Sequence, residues 1–242
     1  MFDTAKILSV LDLAALGDTE TDISVGRLCG AAVQSFGHAA AVCTFEKFLT
    51  TVKLDLPRDS GVVPVAVVNF PDGGSSTAVA DTTTALAFGA KEIDFVFPYR
   101  AFQEGKTAEA ESITATVATL CHAGDAKLKV ILETGALDET TLRAAAQAAI
   151  RAGADFLKTS TGTTDTGATP EAVAVLLEEI KAAGKNTGLK VSGGIRTPDD
   201  ARSYMQQAAD AMGEDWISPE HFRIGSSSLL DNLLAEAEGR AA

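Results

Sequence analysis

The chain has 242 residues, 46% of them hydrophobic, and its 33 acidic residues against 20 basic ones leave a formal net charge of -13. That length and apolar content suffice for one large core, either an α/β barrel or a large open α/β domain, and the acidic balance argues against a nucleic-acid partner. Cys29, Cys43 and Cys121 form no close pair and no C-x-x-C, which argues against a disulfide scaffold and a zinc knuckle.

The first apolar stretch, residues 2–16, runs into Asp12 and reads as a strand-bearing segment, followed by a polar turn at 18–22. Residues 23–37 predict a helix with Val25, Leu28, Ala32 and Val33 as its stripe. A strand over 39–44 carries Cys43 near its end, and 45–56 favours a helix. The β-branched run 64–69 is stopped by Phe70-Pro71-Asp72-Gly73-Gly74, a cluster of turn formers. Ala-rich residues 77–88 predict a helix closed by Gly89. The strand 92–97 has Asp94 in its middle, Pro98-Tyr99-Arg100 reads as a loop, and 109–123 as a helix. A strand over 127–133 holds Lys129, a helix spans 138–152, and the next short strand ends at Lys158. After a polar loop at 163–169, Pro170 opens a helix in the favoured first position, with Gly184 past its end. The strand 189–192 contains Lys190. Pro198 opens a helix to about Met212, a loop leads to the last strand at 222–225, and Ser226-Ser227-Ser228 starts a final helix.

Short apolar strands thus alternate with helices, the signature of a parallel sheet. Eight strand candidates, near about residues 9, 39, 64, 92, 127, 154, 188 and 222, recur at the spacing of one βα unit. Eight such units predict a TIM (β/α)8 barrel in the α/β class. The rival, a doubly wound sheet, calls for G-x-G-x-x-G after the first strand, and none is there. No linker divides the chain, so residues 1–242 are expected to form a single barrel domain. The start, MFDTAKILSVLDLAAL, lacks a basic region before a long apolar core, so no signal peptide is expected. No run approaches the length of a membrane span. A soluble, cytoplasmic protein is the expectation.

The stretch Gly153-Ala154-Asp155-Phe156-Leu157-Lys158-Thr159-Ser160-Thr161-Gly162 organises the chain. A lysine closing an apolar strand and pointing inward is disfavoured as an ammonium. Its pKa falls and it becomes a nucleophilic amine able to form a Schiff base with a carbonyl. A strand-end lysine that snorkels to solvent is the plain alternative. Asp12, Asp94, Lys129 and Lys190 decide between the two, because each sits in or at the end of another apolar strand. Strand alternation places Phe156 with Lys158 on one face and Lys190 with Ser192 on one face. If those faces line the barrel, five charges meet at one site. They would form either a structural ion network or a catalytic group in which a neighbouring ammonium lowers a lysine pKa.

Phosphate-binding signals lie at the same strand ends. Gly193-Gly194-Ile195-Arg196 follows the Lys190 strand, and Gly225-Ser226-Ser227-Ser228 opens the last helix. Small residues expose backbone N–H groups, and a helix N-terminus favours an anion. A tight turn and an N-cap serine would account for the same letters.

The chain closely resembles the deoxyribose-phosphate aldolase family of class I aldolases. The matching stretches are Leu11-Asp12-Leu13, Ala40-Ala41-Val42-Cys43, Asn69-Phe70-Pro71, Glu92-Ile93-Asp94-Phe95-Val96-Phe97-Pro98-Tyr99-Arg100 and Leu128-Lys129-Val130-Ile131-Leu132-Glu133-Thr134-Gly135. They continue through the Lys158 stretch, Lys190, Gly193-Gly194-Ile195-Arg196-Thr197, and Gly225 with Ser227-Ser228-Leu229-Leu230. The resemblance implies that Lys158 forms the Schiff base, Lys190 keeps it partly neutral, and Asp94 moves protons. It implies supporting charges at Asp12 and Lys129 and a pocket wall at Cys43. Phosphate binding falls to Gly162, Thr163, Gly193, Gly194, Arg196, Gly225, Ser227 and Ser228. The reaction implied is reversible cleavage of 2-deoxy-D-ribose 5-phosphate to D-glyceraldehyde 3-phosphate and acetaldehyde. No metal or organic cofactor is implied; the partners are small phosphosugars and aldehydes, and a homodimer is common in the family.

Two departures stand out. The family often has Thr-Gly-Lys after the Schiff-base lysine, where this chain has Thr161-Gly162-Thr163, and it often ends in a tyrosine that reaches the site, where this chain ends Glu238-Gly239-Arg240-Ala241-Ala242. Weaker phosphate binding and a missing aid to proton transfer are the expectations. Two other functions remain open on the residues alone. A phosphosugar isomerase would need a carboxylate base near a neutral histidine, and His38, His122 and His221 are far apart and read as structural or surface groups. A non-catalytic phosphosugar-binding protein would have no use for Lys158 beside Lys190. Gly73-Gly74-Ser75-Ser76 reads as a plain loop.

Overall fold

The structure, a computed structural model, describes residues 2–74 and 76–239. Eight parallel strands close into a barrel, each bonded to the next in chain order and the last to the first. They are β1 (Leu11–Ala14), β2 (Ala41–Phe45), β3 (Val63–Val68), β4 (Glu92–Val96), β5 (Lys127–Ile131), β6 (Phe156–Lys158), β7 (Gly188–Ser192) and β8 (Phe222–Ser226). Around them lie α1 (Thr4–Ser9), α2 (Asp22–Ala31), α3 (Leu49–Asp55), α4 (Ala78–Ala87), α5 (Tyr99–Gln103), α6 (Thr107–Ala123), α7 (Glu139–Ala152), α8 (Pro170–Ala183), α9 (Pro198–Met212) and α10 (Leu229–Ala237). The expected (β/α)8 barrel is what the chain forms. No helix among the described residues is long and apolar enough to cross a membrane.

Local chemistry sets the boundaries. Asp138 caps α7 by accepting from Thr141 N–H, and Gly153, at φ +103°, ends it in the left-handed region that only glycine enters cheaply. Thr197 and Asp200 form a reciprocal capping box at the start of α9, with Pro198 in the first turn. Four elements differ from the sequence reading. The first apolar stretch divides into α1 and β1. The helix expected over 23–37 stops at Ala31, and Val33–Gln34 pairs with Gly37–His38 in a small antiparallel hairpin. There β-branched Val33 and a glycine with positive φ favour a turn of sheet over a further helical turn. The expected loop Pro98-Tyr99-Arg100 instead opens α5, since the fixed φ of proline suits a helix start. The final helix starts at Leu229, and Ser226 remains in β8.

The main apolar core fills the layer between strands and helices. Inside the barrel the filling is divided. Ala41, Cys43, Val65 and Val67 make a small apolar cluster on β2 and β3. The other strands send charge inward, and Asp12, Glu92, Asp94, Lys129, Lys158, Lys190 and Arg223 are all buried. Ordinary barrel interiors are packed with branched aliphatic side chains, so this interior gives up stability for something else.

Candidate active site

Strand register brings the charges together. Asp94 on β4 is level with Lys129 on β5, and Lys158 on β6 is level with Lys190 on β7. Asp94 takes the centre. Its Oδ1 accepts from Lys129 Nζ at 3.0 Å, and its Oδ2 accepts from both Lys158 Nζ and Lys190 Nζ at 2.8 Å. Lys190 also donates to Asp12 Oδ2 at 2.6 Å, and Lys129 Nζ lies 3.5 Å from the same oxygen. Below them Arg223 donates to Asp12 Oδ1 at 2.7 Å and to Glu92 Oε1 at 2.9 Å, and Lys129 pairs with Glu92. The five charges expected to meet do meet.

Hydroxyl groups fix the spacing of the two lysines at the cavity. Strand β6 is only three residues long, so side chains extend its pairing with β7. Thr159 Oγ1 and Ser160 Oγ both donate to the Ser192 carbonyl, at 2.8 and 2.7 Å. Ser192 Oγ returns a bond to the Ser160 carbonyl, and Ser192 N–H donates to Thr159 Oγ1. Every one of these polar groups is buried and satisfied, which makes the arrangement rigid. Gly225 completes it, because a Cβ there would lie 2.9 Å from both Lys190 Cε and Ser192 Cβ.

The ammonium groups do not share one fate. Burial alone would lower Lys190, but Asp12 and Asp94 outweigh it and raise its pKa. Lys129 is raised in the same way by Asp94, Glu92 and Asp12. Lys158 has one carboxylate partner, and burial, with a smaller push from Lys190, overcomes Asp94 and lowers its pKa. Both causes read from the sequence, burial and a neighbouring ammonium, act here, and desolvation is the larger. Burial would raise Asp94, but Lys129, Lys158 and Lys190 hold it well below the usual carboxylate range. Cys43 donates Sγ–H to Asp94 Oδ2 at 3.7 Å, and burial pushes its thiol up to about 11, so it stays protonated at neutral pH. Cys43 lines the cavity into which Lys158 and Lys190 open.

Lys158 and Lys190 form the floor of a cavity of about 410 Å³ at the C-terminal mouth of the barrel, where barrels of this type place their chemistry. Gly162, Thr163, Gly193, Gly194, Arg196, Gly225, Ser227 and Ser228 all line it, together with Cys43. Asp12, Asp94 and Lys129 lie beneath the floor. A larger depression of about 800 Å³ opens at the other end of the barrel, where His38, His122, Lys127 and Asp155 line it. It is wider, but neither Lys158 nor Lys190 lines it; both open into the smaller cavity.

The side of that cavity where phosphate binding is expected is built from backbone. Gly193 and Gly194 have φ of +97° and +85°, and no atom lies within 4 Å of where a Gly194 Cβ would stand, so its peptide faces open space. Not every N–H in the expected set is free to bind. The Ser228 N–H donates to Ser226 Oγ at 3.2 Å, and the Arg196 N–H donates to Asp200 Oδ2 at 3.1 Å. Arg196 therefore offers its exposed guanidinium, and Ser226 Oγ also accepts from the Leu229 N–H at 3.1 Å where α10 begins. Thr163 shares a hydroxyl bond of 2.8 Å with Thr161, whose Oγ1 donates to buried Glu133 at 2.5 Å.

Sequence reasoning missed Glu92, Arg223 and Glu133, along with Leu16, Gly17 and Glu20 on the loop after β1. Glu92 stands two residues before Asp94 and Arg223 two before Gly225, so strand alternation pointed inward at both. The three histidines lie away from the upper cavity: His122 pairs with Asp155, and His221 bonds Asn186 and stacks on Trp216. That removes the main support for an isomerase. Gly73 packs against the Phe97 carbonyl in a plain turn, while Ser75 and residues 240–242, with the expectation placed on the C-terminal end, lie outside the described residues. Among the described residues no three His, Cys, Asp or Glu side chains are grouped to hold a metal ion.

Comparison with known proteins places this geometry. Residues 8–235 match the profile described as DeoC/LacD family aldolase. A Toxoplasma gondii structure described as the apo form of a deoxyribose-phosphate aldolase is 27% identical with a TM-score of 0.87, over 98% of this chain and 96% of that one. One from Coccidioides immitis, described likewise, is 28% identical with a TM-score of 0.82, over 95% and 86% of the two chains. The tetrameric deoxyribose phosphate aldolase of Aeropyrum pernix is 26% identical with a TM-score of 0.79, over 97% and 92%.

Proposed function

The chain belongs to the DeoC/LacD family of aldolases, and from that premise we propose that it reversibly cleaves 2-deoxy-D-ribose 5-phosphate to D-glyceraldehyde 3-phosphate and acetaldehyde through a Schiff base on Lys158. The observation that carries this reading is the placement of Lys158, a buried amine with one carboxylate partner at the floor of a cavity lined by glycine-rich loops, where burial lowers its pKa. Neutral Lys158 Nζ attacks C1 of the open-chain aldehyde, and a proton delivered by Lys190 or a water to the carbinolamine hydroxyl lets it leave as water, giving a protonated imine. The bond that breaks joins C2 to C3, so the proton leaves the 3-hydroxyl, and the C2–C3 electron pair moves into the imine. Glyceraldehyde 3-phosphate departs and an enamine remains. Protonation at C2 and addition of water at C1 release acetaldehyde and restore the amine. Asp94 Oδ2 touches both lysine nitrogens and so can pass protons between them. Because Asp94 lies below the floor, its proton traffic with substrate runs through Lys158, Lys190 or a water.

A phosphosugar-binding protein without catalysis would gain nothing from a destabilising amine at its floor. A single domain over residues 1–242, a cytoplasmic setting and a homodimer belong to the same reading, carried by the family resemblance. Borohydride reduction in the presence of acetaldehyde, followed by peptide mass mapping, tests it. An ethyl adduct on Lys158 is expected, and a clean Lys158 in an active preparation would overturn it.

Thr163 sets the expected preference for phosphate. Without a lysine there, phosphate is held by Arg196 and by N–H groups near Gly193, Gly194 and Ser227, so the phosphorylated sugar is preferred by a modest margin. Thr163→Lys adds one charge-assisted contact worth about 1–2 kcal/mol, roughly ten-fold in binding, less what the loop loses with the Thr161–Thr163 hydroxyl bond. The KM for deoxyribose 5-phosphate should fall while kinetics with unphosphorylated deoxyribose barely change. Equal shifts in kcat/KM for both sugars would place Thr163 outside the phosphate pocket.

A further inference from the structure

The ion-paired cluster inside the barrel holds three carboxylates, Asp12, Glu92 and Asp94, and four basic groups, Lys129, Lys158, Lys190 and Arg223. With its basic groups protonated and its carboxylates ionised, it carries one uncompensated positive charge in a buried space, and such a charge is expelled as a proton wherever the group that bears it can release one. Arg223 cannot release one. Lys129 touches three carboxylates and Lys190 two, while Lys158 touches Asp94 alone. The one proton that can leave cheaply is therefore on Lys158.

Two of the seven groups are far from the reaction. Glu92 and Arg223 line the depression at the N-terminal end of the barrel, and neither lines the upper cavity. Both are buried, and they bond each other. Arg223 also holds Asp12 and Glu92 holds Lys129, and those two hold Lys190 and Asp94 in turn. We propose that Glu92 and Arg223 are positioning residues that act from the far end of the barrel, each cancelling the other's charge so that the interior keeps a single excess cation and Lys158 is the amine left neutral. The catalytic meaning of this rests on the Schiff-base role of Lys158.

The remaining groups described around Lys158 form no ion pair with the cluster. Cys43, facing it from β2, is a neutral thiol. Glu133, at the end of β5, is buried but spends its oxygens on the N–H and hydroxyl of Thr161 and the hydroxyl of Thr164, outside the ion-paired cluster.

The signs follow from this wiring. Glu92→Gln removes a negative charge and frees Lys129 to draw more on Asp94, so Asp94 serves Lys158 less and its amine becomes neutral at lower pH. Arg223→Met removes a positive charge and leaves Asp12 to draw on Lys190 and Lys129, so Asp94 turns to Lys158, which holds its proton to higher pH. Each shift should be about one pH unit. The double variant restores the balance and should lie near the wild type, and Arg223→Lys should not move.

Two readouts are needed. One is the acid limb of kcat/KM against pH with deoxyribose 5-phosphate. The other is the pH dependence of Lys158 acetylation by acetic anhydride, read by peptide mass mapping, which reports the amine whether or not it forms an imine. Opposite shifts in the two single variants, in both readouts, are the expected result. Folded variants whose limbs stay put, or move the same way, overturn the proposal. Should a single variant fail to fold, the double variant decides, since a limb displaced by more than about half a unit contradicts the balance. Opposite acetylation shifts without any acetaldehyde adduct on wild-type Lys158 would keep the charge device and reject the Schiff-base reading.

Discussion

Lys158→Met will lose about four orders of magnitude or more in kcat/KM, yet will melt at a higher temperature than the wild type at neutral pH. The loss follows from removing the nucleophile. The gain follows from linkage. The pKa of Lys158 is lower in the folded chain than in the unfolded one, so the folded state binds this proton more weakly. Below the folded pKa the lysine subtracts its full penalty, and the penalty fades as pH rises from there toward the unfolded value of about 10.4. Methionine has a similar length, fills the site and carries no charge. Asp94 is not orphaned, since Lys129 and Lys190 still bond it. Replacing a buried charge that has little compensation by an apolar side chain stabilises by about 1–3 kcal/mol, and each kcal/mol raises Tm by roughly 2–4 °C in a chain of this size. The advantage should shrink as the pH of the melt is raised. A lower Tm at neutral pH would mean that the Lys158–Asp94 pair is a net structural asset, and the case for a strained amine would fail.

The barrel was legible because βα repetition at a fixed spacing leaves few alternatives, and the site was legible because lysines and aspartates inside apolar strands have few places to go but inward. Lys158, Lys190 and Asp94 each sit in a strand whose neighbours are fully buried on both faces, so the charge stands out against its surroundings. Glu92 did not stand out, because it is the first residue of β4, where a polar residue ordinarily marks the edge of a strand. Arg223 was hidden in the same way at the start of β8. Both are inward by alternation with Asp94 and Gly225, a signal that only counts once the barrel is closed. The hairpin after α2 and the helix at Tyr99 were misread for a different reason. Their short elements are decided by backbone conformation at Gly37 and Pro98, which a periodicity count over many residues averages away. The phosphate loops fall between these cases. Their glycines were visible, but the competing use of the Arg196 and Ser228 N–H groups by Asp200 and Ser226 depends on side-chain positions that no spacing rule supplies.

Asp94→Asn should be the most destabilising single change at the site, costing about 3–5 kcal/mol of stability together with about 10³-fold or more in kcat/KM. The folded pKa of Asp94 is held well below its unfolded value by three ammonium groups. Its contribution is therefore complete above the unfolded carboxylate value of about 3.9 and is lost only as pH falls through the folded pKa. Asparagine deletes it across the neutral range and leaves Lys129, Lys158 and Lys190 facing an amide. Lys129 and Lys190 keep Glu92 and Asp12, but Lys158 has no carboxylate left. The contribution that raised its pKa is gone, so that pKa falls further. Between the new value and about 10.4 the stability of the variant must climb with pH, over a wider window than in the wild type. Urea unfolding between about pH 5 and pH 9 should show the deficit shrinking as pH rises. A deficit that is constant, or that grows, would mean Lys158 is not the group that relieves the excess charge. The same variant separates the two chemical roles. Its Lys158 is more often neutral, so the acetaldehyde–borohydride adduct should still form and should begin to form at lower pH, while turnover is lost because the 3-hydroxyl proton has no relay through Asp94. Loss of adduct and turnover together in a folded variant would instead assign Asp94 to building the imine.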